Sequence, residues 1–209
     1  MSNRQDFLNS YYNSFKVLFP ELTEEEILEY YDESQLLGYP EKESGSMWTS
    51  ELKNLYVLLR ILKPKKILEI GNFRGISSNG ILHAVNKNGF GEVTLVDIED
   101  RLEYHNLLNN NFTRVVEDSH KFLAREHQYN FILQDSAHDF FHVNKELDLI
   151  KANNIVDDYI IWGHDYFVDC SKSTCKVREV YDNRRSEFSL FLPQKDSISD
   201  CGLIWVKFK

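Results

Sequence analysis

Ile67-Leu68-Glu69-Ile70-Gly71-Asn72-Phe73-Arg74-Gly75-Ile76-Ser77-Ser78 reads as a buried strand that runs into a glycine turn and out of it into a helix. Gly71 and Gly75 permit positive φ and a close approach of the backbone. The first N–H groups of the following helix are left open to whatever sits over the strand end. Such a turn suits an anionic or strongly polar, nucleotide-like ligand. Its spacing is G-x-x-x-G, not the G-x-G-x-x-G of dinucleotide sites, and no lysine follows the glycines as in a phosphate-binding P-loop. A ribose-bearing ligand without a triphosphate fits best.

Outward from this turn, short apolar runs alternate with helical periodicity. Strands are predicted at 66–71, 92–97, 113–117, 129–135 and 157–163, and helices at 76–88, 99–110, 119–127, 138–152 and 172–184. A run such as Val93-Thr94-Leu95-Val96 is apolar on both faces, which implies a parallel sheet covered by helices. Phe188-Ser189-Leu190-Phe191-Leu192 and Leu203-Ile204-Trp205-Val206-Lys207-Phe208 have no long helix between them, so they are expected to pair as an antiparallel hairpin at a sheet edge. The expected fold is α/β: a Rossmann-like, doubly wound, mostly parallel seven-stranded sheet with an antiparallel C-terminal hairpin and an N-terminal helical extension.

That extension carries apolar residues at three- and four-residue spacing from Phe7 to Phe19, until Pro20 ends the helix. Thr23 with Glu26 is a capping box, and Leu22 with Ile27 a hydrophobic staple, so a second helix starts there and is closed by Gly38 and Pro40. After a loop that ends in Met47-Trp48, a third helix runs to Pro64. Residues 1–49 are read as an N-terminal helical cap and 50–209 as the domain that holds the site. The aromatics Tyr11, Tyr12, Phe15, Tyr30, Tyr31 and Tyr39 are expected to pack helices together, with Trp48 reaching the ligand.

Composition narrows the function classes. With 209 residues, 42% of them hydrophobic, the chain can bury one sizeable core. A net charge of −9 with interspersed signs argues against a nucleic-acid partner, which needs a basic stripe. The three cysteines, Cys170, Cys175 and Cys201, form no C-x-x-C pair, so reduced thiols in a cytoplasmic protein are expected. Residues 1–20 show no basic stretch followed by an apolar run, and no run approaches the ~20 apolar residues of a membrane span, so a soluble, untargeted protein is expected.

In a doubly wound sheet the ligand lies outside the carboxyl ends of the strands. Those ends here are Gly71, Asp97, Glu117-Asp118-Ser119, Asp135 and His164-Asp165. A carboxylate such as Asp97, 26 residues beyond Gly71, accepts both hydroxyls of a ribose. Asp100 is better placed to cap the next helix. Glu69, just before the turn, is positioned to accept from a ligand ammonium or from loop amides.

These motifs together resemble the class I S-adenosylmethionine-dependent methyltransferases, in particular small-molecule members with an Asp-Gly-Asp-His element and a late His-Asp pair. The resemblance covers about residues 50–209. It rests on Leu68-Glu69-Ile70-Gly71 through Gly75-Ile76-Ser77, on Leu95-Val96-Asp97, on Glu117-Asp118-Ser119, on Asp135-Ser136-Ala137-His138 with Glu146 eight residues on, and on Ile160-Ile161-Trp162-Gly163-His164-Asp165-Tyr166. It implies S-adenosylmethionine as cofactor, held by Glu69, Gly71, Asn72, Phe73, Gly75, Ser77, Asp97, Asp118, Ser119 and Asp135. It implies transfer of a methyl group to a hydroxyl of a small molecule, a sugar or glycoside among them. Ser136 and Ala137 stand where the family has Gly and Asp, and Asn153-Asn154-Ile155-Val156 where a Pro-Gly-Gly turn is common.

For the chemistry, Asp135, His138 and His164 are the catalytic candidates, the histidines as bases near neutral pH. Asp135, His164 and Asp165 are the candidate ligands of a divalent ion, Mg2+ or Mn2+, since relatives use such an ion to acidify the acceptor hydroxyl. His138 and His142, i and i+4 on a predicted helix, lack a third ligand and read as an exposed pair. Two other readings compete: a cofactor-binding module that no longer transfers methyl groups, serving as partner subunit or sensor, and a nicotinamide-dependent oxidoreductase. The G-x-x-x-G spacing and the terminal hairpin weigh against the latter.

Overall fold

The computed structural model describes residues 2–36, 47–103, 112–168, 174–195 and 201–209. Gly38, Tyr39, Pro40, Cys170 and most of the helix expected at 99–110 lie outside them. Five parallel strands, β1 (Lys66–Ile70), β2 (Glu92–Asp97), β3 (Phe112–Val116), β4 (Phe131–Gln134) and β5 (Ile160–His164), are joined by two antiparallel ones, β6 (Phe188–Gln194) and β7 (Leu203–Phe208). The seven-stranded sheet has the order β3-β2-β1-β4-β5-β7-β6. The chain therefore winds outward from β1 to β3, returns to β4, and winds the other way. The reversal between β1 and β4 opens the crevice that doubly wound sheets use for ligands.

Alternation along each strand sends side chains into two cores. Ile67, Phe131, Leu133, Ile160, Trp162, Leu203 and Trp205 face one layer; Leu68, Ile70, Ile132, Ile161, Ile204 and Val206 face the other. The first layer consists of α1 (Ser2–Leu18), α2 (Glu24–Gln35), α3 (Thr49–Leu62) and α4 (Ile76–Asn88). The second is α5 (Ser119–Leu123), α6 (Phe140–Asn153) and α7 (Val177–Asn183). The amino-terminal aromatics Phe7, Tyr11, Phe15 and Tyr31 belong to the first core, with Phe15 5.2 Å from the ring of Trp205. The capping box at Thr23 forms as its residues require. The core is thus continuous across residues 49 and 50.

Several extents differ from the sequence reading. The hairpin does not hang on the edge as a unit, because β7 lies between β5 and β6 and pairs with both. Of the two hairpin strands, only β6 lies at an edge. Residues 99–103 are not helical: Asp97 Oδ1 accepts the Glu99 N–H, and the Glu103 N–H donates to Arg74 O, so the segment folds back over the glycine turn. α5 stops at Leu123, and beyond it the His127 N–H donates to Asn153 O at the end of α6 while His127 O accepts the Ile155 N–H. Asp139 caps α6, accepting the His142 N–H at 3.0 Å. His138 therefore precedes the helix, and the helical i, i+4 pairing of His138 with His142 does not exist.

Candidate active site

At the crevice the β1 turn is fixed by backbone. The Gly71 N–H donates to Val96 O at 2.8 Å, and the Gly75 N–H to Asn72 O at 2.7 Å. Gly71 has φ +84°, and a Cβ there would lie 2.1 Å from Asp135 O. No other residue fits. Gly75, at φ +90°, is closed over by Leu102, whose Cδ1 would meet a Cβ at 2.4 Å. Asp97 Oδ2 accepts the Phe73 N–H at 2.8 Å, tying the end of β2 to the turn.

Glu69 shares strand parity with Ile67 and so points at α4, where it accepts the hydroxyls of Ser77 and Ser78. Burial, with the nearby charges of Asp135 and Asp97, pushes its pKa up to about 7 against the opposing pull of the two serines. It braces the turn from beneath.

A cleft of about 260 Å³ lies over these strand ends, walled by Gly71, Phe73, Asp97, Asp118, Ser119 and Asp135, with Ile98, Ser136 and His142. Glu69, Asn72, Gly75 and Ser77 are not among its walls. Asp118 also caps α5, accepting the Lys121 N–H. Asp97, Asp118 and Asp135 give the cleft carboxylates at the ends of β2, β3 and β4.

Asp135 leads into a second cluster. Its Oδ1 lies 3.2 Å from His138 Nε2 and 3.2 Å from His164 Nδ1. Asp165 spans the same two rings, Oδ2 3.1 Å from His138 Nδ1 and Oδ1 3.2 Å from His164 Nδ1. It does so with φ +60°, a backbone conformation costly for a side chain of its kind. On the far side of the buried His164, Glu51 Oε2 lies 3.1 Å from Nε2 and accepts the Trp48 N–H at 3.0 Å.

The protonation states follow from these partners. Burial opposes charge on His164, but Asp135 and Glu51 hold its pKa well above the ordinary histidine value. A carboxylate at each nitrogen favours the imidazolium form, which donates on both sides. Asp135 is desolvated, yet His164 and His138 hold it at about 2. His138 is also raised, because the hydrogen bond and charge of Asp135 and the charge of Asp165 outweigh its own desolvation. It is the solvent-facing member, with a side chain 37% exposed.

A third network backs the cleft. Gln134, of opposite strand parity to Asp135, turns toward α6 and α7, where its Nε2 donates to Glu146 and its Oε1 accepts from Tyr181. The buried Glu146 also accepts from Ser136 Oγ at 2.7 Å and lies 3.1 Å from His142 Nε2. The hydroxyl of Ser136 thus anchors the loop where the resembled family has glycine.

No family model matches the chain, and no curated protein matches its sequence. Solved structures do match. An SAH-bound methyltransferase from Podospora anserina superposes with a TM-score of 0.63 over 88% of this chain and 88% of its own, at 12% identity. The O-methyltransferase from Bacillus cereus in complex with SAH gives 0.62 over 94% and 96%, at 16% identity. An O-methyltransferase from Streptomyces achromogenes involved in tomaymycin synthesis, in complex with SAM, gives 0.60 over 94% and 96%, at 13% identity. The chain has the class I methyltransferase fold.

In this methyltransferase fold the structure brings Gly71, Phe73, Asp97, Asp118, Ser119 and Asp135 to one cleft, and Asp135, His138, His164 and Asp165 to one cluster. Glu51 was not read from the sequence, though it had a signal, standing three residues after Trp48 as the third residue of α3, where a glutamate caps the helix start. His142 was read only as one of an exposed histidine pair and Cys175 only as a reduced thiol, because their places depend on how α6 and the entry to α7 dock.

Proposed function

We propose that the protein is an S-adenosylmethionine-dependent O-methyltransferase acting on a hydroxyl of a small molecule. The observation that carries this reading is Asp135, which walls the cleft and also contacts both histidines. One carboxylate thereby joins the place for a methyl donor to the place for a proton acceptor.

When bound, S-adenosylmethionine supplies a methyl group on a positively charged sulfur. A glycine turn without room for a side chain and a cleft walled by Asp97, Asp118 and Ser119 support this reading, which assigns Asp97 to the ribose hydroxyls and Asp118 with Ser119 to the base. The protein's main work is alignment, since transfer from a sulfonium is an in-line displacement. His138 takes the acceptor proton at one ring nitrogen while the carboxylate facing the other, Asp135 or Asp165, holds the N–H there. His164, locked between Glu51 and Asp135, positions the two aspartates rather than exchanging protons.

The donors of Asp135, His164 and Asp165 lie within 4.8 Å of one another, and Glu51 backs the remaining nitrogen of His164. Once His164 gave up its Nδ1 proton, that set would suit Mg2+ or Mn2+, which would lower the pKa of a coordinated hydroxyl. We infer further that residues 1–49 cap the acceptor side through Trp48. A cytoplasmic setting, with Cys175 and Cys201 as thiols, is part of the same reading. Sugars and glycosides enter the acceptor panel on the sequence resemblance alone.

Calorimetry with S-adenosylhomocysteine tests the proposal. The parent protein is expected to bind and Asp97→Ala to bind about tenfold more weakly or worse, equivalent to about 1.4 kcal/mol. No binding by the parent, or equal binding by both, rejects it.

A further inference from the structure

We infer that His138, Asp165 and Cys175 form a second ion site, one that takes a thiophilic divalent cation of the Zn2+ class. The ligand atoms of these three residues lie within 4.8 Å of one another. They come from three separate segments that tertiary contacts press together. The Lys176 N–H donates to His138 O at 2.7 Å, which pins the entry of α7 onto the loop before α6. Cys175, buried, then faces the strand end, its Sγ 3.7 Å from Asp165 O.

The donors differ in kind from those of the neighbouring oxygen-rich set. Imidazole, thiolate and carboxylate select Zn2+ and its relatives over Mg2+, which disfavours sulfur. Asp165 serves each set with a different oxygen, Oδ2 toward His138 and Oδ1 toward His164. Asp135, 3.2 Å from His138 Nε2, supplies the carboxylate that typically orients a ligating imidazole through its other nitrogen. The exposed edge of His138 leaves a path for the ion to enter.

Binding forms Nδ1–metal, Sγ–metal and carboxylate–metal bonds. The Cys175 thiol and the His138 imidazolium each lose a proton to solvent. The proton left on His138 is then held at Nε2 against Asp135. On the methyltransferase reading, which this consequence rests on, the ion removes the base and silences the enzyme.

The test titrates Co2+, a spectroscopic substitute for Zn2+, into the full chain, into Cys175→Ser, and into a Cys170→Ser/Cys201→Ser double variant. The parent and the double variant are expected to develop a thiolate-to-cobalt charge-transfer band that saturates at one equivalent and is abolished by Zn2+. Cys175→Ser is expected to show none, and His138→Ala to bind Co2+ at least tenfold more weakly. The His138 variant carries the test if Cys175→Ser does not fold. Absence of the band in the parent, its persistence in Cys175→Ser, or unchanged affinity in His138→Ala overturns the site. Binding of S-adenosylhomocysteine by the same samples separates the two readings: the band without nucleoside binding rejects only the methyltransferase, and nucleoside binding without the band rejects only the ion site.

Discussion

The two ends of the crevice are made of different materials. At β1 and β2 the frame is backbone: the N–H groups of Gly71, Phe73 and Gly75 all donate hydrogen bonds that shape the turn, and Asp97 contributes a clamp. At β4 and β5 they are ionisable side chains, three carboxylates around two histidines. The first is one strand-turn-helix unit and its neighbouring strand. The second unites Glu51 with His164 across 113 residues. A backbone cradle depends on space, so it fails by steric intrusion. A charge cluster depends on compensation, so it fails when one partner is removed.

Four changes would break or sharpen that contrast. Gly71→Ala strikes the backbone end hardest, combining a positive φ with a Cβ 2.1 Å from Asp135 O. Strain and overpacking together should destabilise by roughly 4 kcal/mol in denaturant unfolding. A loss below about 1 kcal/mol would show that the turn yields easily. His164→Ala strikes the other end, leaving the buried Glu51 without its imidazole partner and Asp135 and Asp165 with His138 alone. About 3 kcal/mol is expected, and Glu51→Gln made together with it should recover part of the loss.

Glu69→Gln probes the joint between the two. Because the native pKa of Glu69 is raised from 4.5 to about 7, the folded state holds a proton that the unfolded chain releases, and its contribution to stability falls as pH rises through that window. The variant should therefore gain on the parent by about 3 kcal/mol between the two ends of the window. A constant difference across it would place Glu69 in contact with water. The smallest effect concerns His138, whose raised pKa means that the neutral base is scarce at low pH. Methyl transfer should rise with pH beyond the ordinary histidine range, and His138→Gln should flatten the profile while leaving cofactor affinity in place. An unchanged profile would move the base elsewhere.

Much of the backbone end was legible in the sequence. Two glycines after a buried strand leave few alternatives, and Asp97 follows from strand spacing. The strand set was legible for the same reason, since both-faces-apolar runs have only one home in an α/β fold. Helix limits were less so. Residues 99–103 look helical but give their amides to Asp97 and Arg74. His138 looks like part of α6 but lies outside it, because Asp139 takes the cap.

At the charge cluster the sequence named Asp135, His138, His164 and Asp165 from their places at strand ends. It gave no sign that each histidine faces carboxylates on both nitrogens. That follows from parity and register: His164 shares a face with Ile160 and Trp162 and so meets α3, while Gln134 lies on the opposite face and meets Glu146.

By itself, the sequence determined the strands, the glycine turn and the polar residues at the crevice, because propensity, periodicity and backbone permission act over a few neighbouring residues. The tertiary structure alone decided which of those residues share a proton or an ion. Charge states are set by desolvation and by partners within about 4 Å, and such partners are chosen by packing, not by spacing along the chain.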